Sequence, residues 1–125
     1  MQDTPSTPAS DQPGHAMVSS SDVNGTEVYN PAGEHLGRID HLVIDKVSGQ
    51  IAYAVMTFGG FLGLGEGMYP LPWKKFRFDK AIGGFVTDVS REQLTGAPSL
   101  TETWFDDRDY HRRNYDYYGV LPYWM

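Results

Sequence analysis

The chain has 125 residues, a mass of 14.0 kDa, a formal charge of −6 and a pI near 5.0. That is one domain with room for flanking segments. The acidic balance argues against binding a nucleic-acid backbone, which requires a basic face. The absence of Cys excludes disulfides, thiolate nucleophiles, zinc fingers and iron–sulfur clusters.

No apolar run approaches the length of a transmembrane helix, so membrane contact is expected only through a partner. No basic stretch followed by an apolar one opens the chain, so no signal peptide is expected. The expected location is the cytoplasm, or the periplasm if the chain is a processed form.

Residues 1–17 read as a disordered tail. Their Pro, Ser and Thr carry almost no large apolar side chain with which to offset the entropy of ordering. From Val18 to Leu100, short apolar runs alternate with Gly-containing turns, the spacing of a small all-β domain. Ser19–Asp22 reads as a turn or helical cap and Glu27–Asn30 as a short strand. Asn30-Pro-Ala-Gly33 is a tight turn.

Leu36–Asp45 and Gln50–Phe58 form a hairpin across Asp45–Gly49. The second of these strands is apolar on both faces, with Ile51, Tyr53 and Val55 on one and Ala52, Ala54, Met56 and Phe58 on the other. It is therefore central and covered on both sides. The cover must come from the domain's own loops, the C-terminal extension or another chain.

Gly59–Gly67 is a glycine-rich loop. It lacks the Lys-Ser/Thr of a phosphate-binding loop, and Glu66 would repel phosphate. Its Phe61, Leu62 and Leu64 either cap the domain or form a sticky contact surface. Met68–Trp73 holds Pro70 and Pro72, which marks an edge or irregular strand. Phe76–Asp79 and Phe85–Val89 make a second hairpin around Gly83-Gly84. Ser90 opens a short helical turn, with Gln93 in the capping-box position.

Residues 101–125 form a separate unit holding eight of the 17 aromatic residues at a charge of −2. Thr103 and Asp106 resemble a helix start. Trp104, Arg108, His111, Tyr115 and Tyr118 follow at helical spacing, and the helix should stop before Gly119, leaving Val120–Met125 extended. Tyr, Trp and Arg together are typical of protein–protein hot spots. Trp104, Phe105, Tyr115, Tyr118 and Trp124 are the expected contact residues, docking either on this chain's own domain or on another chain.

The 18–100 segment resembles the PRC-barrel family. The resemblance rests on Gly25-Thr-Glu-Val-Tyr, Gly33-Glu-His-Leu-Gly-Arg-Ile, Leu42–Asp45, Ile51-Ala-Tyr-Ala-Val, the Gly59–Glu66 loop, Tyr69-Pro-Leu-Pro-Trp-Lys and Arg91-Glu-Gln-Leu. It implies a mainly β fold: a small, strongly bent antiparallel barrel, in a family that includes the reaction-centre H subunit's cytoplasmic domain, a ribosome maturation factor's C-terminal domain and many stand-alone bacterial proteins. Its members look like protein-interaction modules, and the resemblance carries over no catalytic residues.

The residues themselves offer little chemistry. His41 and Asp45 share a strand face about 13 Å apart, too far to chelate one ion together. The carboxylates sit at strand ends and turns rather than as a pair. Lys74-Lys75-Phe76-Arg77 reads as a solvated strand edge.

The expectation is a non-enzymatic interaction module without cofactor, self-associating or bound to another protein. Its contacts would be Phe61, Leu62 and Leu64 with the Trp104–Trp124 segment. Two alternatives are an accessory protein of a photosynthetic or electron-transport membrane complex, and a small-ligand or metal-binding protein using His41 and Asp45.

Overall fold

The structure, a computed structural model, describes residues 17–59 and 66–125. The predicted tail up to Ala16, and Phe61, Leu62 and Leu64 of the glycine-rich loop, lie outside the described residues. A short helix, α1 (Ser20–Val23), leads into six strands: β1 (Glu27–Tyr29), β2 (His35–Ile44), β3 (Ile51–Gly59), β4 (Glu66–Pro72), β5 (Arg77–Asp79) and β6 (Gly84–Val86). Two helices follow, α2 (Arg91–Thr95) and α3 (Arg108–Tyr118).

The strands form one sheet in the order β4-β3-β2-β1-β6-β5. All pairings are antiparallel except β1 with β6, which run parallel. The family resemblance implied an antiparallel barrel, and this one pair departs from it. The β5–β6 hairpin carries the chain back to the free edge of the three-residue β1, and Val28 and Tyr29 align there with Phe85 and Val86.

Bending comes from irregular register. β2 slips against β3 between Ile39 and His41 and again between Val43 and Ile44, and against β1 between Val28 and Tyr29. Each irregularity adds local twist, which curls a short sheet around its own core. Gly37 permits the closest approach within it. A Cβ there would lie 1.8 Å from the Thr57 carbonyl oxygen.

Among the described residues no ladder joins β4 to β5, so hydrogen bonds do not close the barrel. Pro70 and Pro72 have no N–H to donate. A 3-10 turn at Trp73–Lys75 then swings the chain away from β4. Aromatic rings fill the seam instead: Phe85 meets Trp73 at 5.7 Å, Phe78 at 5.4 Å and Phe76 at 6.3 Å between centroids. Proline thus makes β4 an edge strand, as predicted.

The interior holds Val28, Ile39, Ala54, Met56, Leu71, Val89 and Leu94, all buried. Leu94 is presented by α2, whose Ser90–Gln93 capping box forms as predicted. β3 is buried from Ala52 to Phe58 and lies between β2 and β4, so the reading of a central, doubly covered strand holds. Its cover is the chain's own C-terminal extension.

Candidate functional site

The extension docks as a cap against the outer face of the sheet. Its helix begins later than predicted. Trp104–Asp106 form a 3-10 turn, and the α-helix starts at Arg108 with Asp107 as N-cap. Thr103 makes no capping hydrogen bond, whereas the Asp107 carboxylate accepts from the Tyr110 N–H at 3.0 Å. An Asp at that position competes for the helix's free N–H groups and breaks the longer run in two. The stop is as predicted. Gly119 takes the left-handed conformation at φ 71°, and its N–H closes the last turn. Val120–Met125 does not run straight on, because it turns at Tyr123-Trp124.

The buried stripe of α3 is Tyr110, Asn114, Tyr115 and Tyr118. Two of them, Tyr115 and Asn114, bond the sheet, and Tyr117 and Tyr123 add bonds elsewhere. The Tyr115 hydroxyl donates to the Ala52 carbonyl at 2.6 Å, and Asn114 Nδ2 donates to the Pro70 carbonyl at 3.1 Å. The Tyr117 hydroxyl donates to the Gln93 carbonyl at 2.8 Å. At the far end, the Tyr123 hydroxyl donates to Asp45 Oδ2 at 2.6 Å. Asp45 also receives the N–H groups of Val47 and Ser48 from its own turn. The Tyr123 bond, and then those two N–H groups, hold the Asp45 carboxyl below its ordinary pKa.

Tyr53 is the seat of the cap. It is 1% exposed and meets Trp104 at 5.4 Å and Tyr115 at 5.6 Å, both edge-on. Its hydroxyl lies 2.7 Å from His111 Nδ1, and His111 Nε2 lies 2.9 Å from the Phe105 carbonyl. A carbonyl only accepts, so Nε2 carries the proton and Nδ1 accepts from Tyr53. Burial, which disfavours a phenolate, raises the Tyr53 pKa, and it pushes Tyr115 up to about 12.

The expected contact residues therefore divide. Tyr115 and Tyr118 are 3% and 5% exposed, so they pack inside this chain rather than against a partner. Helical spacing placed them on one face correctly, but which surface that face meets is a tertiary outcome. Trp104 is partly buried against Tyr53. Phe105 and Trp124 stay open at 62% and 45% exposure, each backed by a buried or half-buried ring: Phe105 on Trp104 at 4.8 Å, and Trp124 on Tyr115 at 4.9 Å. Leu121 and Met125 of the same C-terminal segment are also exposed.

Sequence reasoning missed the roles of Tyr53, His111, Asn114 and Tyr123. Parity set Tyr53 on the face opposite Ala54, Met56 and Phe58, though Ala52, read with those three, packs beside Tyr53 under the cap; no local signal shows that a polar tip will meet a partner 58 or 78 residues away.

The residues proposed for a metal do not converge. His41 pairs with its neighbour Asp40 at 2.8 Å, Asp45 is occupied by its turn and Tyr123, and His111 is held by Tyr53 and Phe105. Among the described residues no three His, Asp or Glu side chains gather where a metal could sit. In the basic stretch, Lys75 pairs with Asp88 at 2.8 Å.

Residues 15–94 match the PRC-barrel domain, and the chain belongs to that family. The cap lies beyond the matched region. A search of the curated proteins finds no significant match. Among solved structures, the chain is similar to a 16S ribosomal RNA processing protein, RimM, of Pseudomonas aeruginosa, with 23% identity and a TM-score of 0.40. The alignment covers 69% of this chain and 50% of that one, so this chain spans about half its length.

Proposed function

We propose that this PRC-barrel protein is a non-enzymatic interaction module that binds a second copy of itself through the open rim of its C-terminal cap. The observation that supports this is the pair Phe105 and Trp124. Both expose large aromatic surface, and both rest on rings packed into the chain's own core. Anchors held rigid before contact lose little side-chain entropy on binding, and interface hot spots have this form. Leu121 and Met125, also exposed in the C-terminal segment, add apolar surface to the contact in this reading. Phe61, Leu62 and Leu64 form a second contact in this reading. No helix among the described residues is long and apolar enough to cross a membrane, and membrane contact in this reading runs through a partner.

Light scattering across a concentration series tests the proposal. The expected result is a mass of at least twice 14.0 kDa, falling to the monomer in the Phe105→Ser/Trp124→Ser double variant. Monomer at every concentration overturns self-association.

A further inference from the structure

A pocket of about 290 Å³ opens at the surface between the β2–β3 turn, the 3-10 turn after β4 and the C-terminal segment. Ile51, Trp73, Tyr115 and Leu121 give it a mostly apolar wall, and the exposed side chains of Lys74 and Gln50 stand in its lining. No carboxylate lines it. Among the described residues Lys74 makes no ion pair, whereas its neighbour Lys75 is held by Asp88. The pocket thus joins an open apolar wall to one uncompensated cation.

An apolar cavity of about 150 Å³ already takes a benzene ring, so this pocket has room for a phenyl side chain. Two strongly exposed rings could fill it. Phe78, 55% exposed, lies between Arg77 and Asp79 with Lys80 next, and brings Lys74 no net opposite charge. Phe105, 62% exposed, is flanked by Glu102 and Asp106, both exposed and in no ion pair among the described residues. Asp107 offsets the nearby Arg108. Size therefore admits either ring, and charge selects Phe105. The ring and the pocket also share one face of the molecule. His111 bonds the Phe105 carbonyl and lies 6.5 Å from Trp124, which rests on Tyr115 of the pocket wall.

We propose that Phe105 of one copy enters this pocket in a second copy, with Asp106 and Glu102 meeting Lys74 at its edge. A two-fold axis between ring and pocket makes the contact reciprocal, so it forms twice in one dimer. Hot-spot rings seated in pockets and rimmed by opposite charges have this form. The inference rests on the self-association proposed above and names the surface that receives the exposed ring.

The test is sedimentation equilibrium of the full chain carrying Lys74→Glu or Asp106→Lys, each alone and the two mixed. Both positions are exposed and unpaired, so each variant should keep the wild-type fold by circular dichroism. Each variant alone sets like charges against one another at both contacts, and its dimer should be weaker than wild type by about tenfold or more. The equimolar mixture sets opposite charges at both contacts, so its heterodimer should recover the wild-type affinity. A wild-type dimer that neither charge reversal weakens, or a mixture no stronger than its components, overturns the pocket contact and leaves self-association through the rim standing. A wild type that is monomeric at every concentration overturns both, and leaves the pocket to a different partner.

Discussion

Tyr53, His111 and the Phe105 carbonyl form a relay that ties β3 to the start of the cap. Removing the Tyr53 hydroxyl leaves the acceptor Nδ1 of a half-buried imidazole facing a hydrocarbon edge. Tyr53→Phe is therefore expected to cost about 1–2 kcal/mol in urea unfolding, and His111→Ala in the Tyr53→Phe background should cost less than in the wild type. Additive losses would show that the pair does not interact.

The Asp45–Tyr123 bond holds the other end. The folded pKa of Asp45 is depressed, so its contribution is present above the unfolded value, about 3.9, and is lost as pH falls below that. Protection of the Val120 N–H, which donates to the Tyr115 carbonyl at 3.0 Å, should thus fall at acid pH in the wild type once exchange is referred to the free-peptide rate at each pH. In Tyr123→Phe that protection should be low at every pH.

The cap's helix depends on its two ends. Asp107→Ala removes the acceptor for the Tyr110 N–H and is expected to cost about 1 kcal/mol. Gly119→Ala should cost about as much, because an L side chain is strained at its positive φ. Gly37→Ala falls in a different class. Its Cβ would strike the backbone carbonyl of Thr57, so β2 and β3 must separate, and a loss near 3 kcal/mol is expected by thermal or urea unfolding. Equal losses at Gly37 and Gly119 would mean that the close approach is unimportant.

The helix stop at Gly119 was legible because one residue type carries that signal. The start was not, since Thr103 and Asp107 are both good caps by composition. Only the chain's path, extended at Asp107 with φ −94° and ψ 95°, selects between them.

Over the whole molecule, the cap and the domain behave as one body. Tyr118 belongs to the central core, and Tyr53 and Tyr115 form a second one beneath the cap. Deleting residues 101–125 uncovers the outer face of β3 and should abolish a single sharp unfolding transition. Alkali should act similarly. The buried tyrosines have folded pKa values raised above the unfolded value near 10. Their contribution is complete below pH 10 and is lost as pH rises toward and beyond 12. Tyrosinate absorbance and loss of sheet circular dichroism are expected to rise together. Ionisation of Tyr53, Tyr115 or Tyr118 at pH 10 with the sheet intact would refute this.

Two-residue alternation, the Gly and Pro turns and the family motifs made the strands, the edge character of β4 and the fold family readable from the sequence alone. These signals are local, since each is carried by residues within a few positions of one another. The apolar outer face of β3 also announced that a cover must exist. Which segment supplies it, which tyrosines turn inward, and which of Phe105 and Trp124 stay open were decided only by the tertiary structure. Those outcomes depend on contacts between residues more than fifty positions apart, and spacing along the chain carries no record of them.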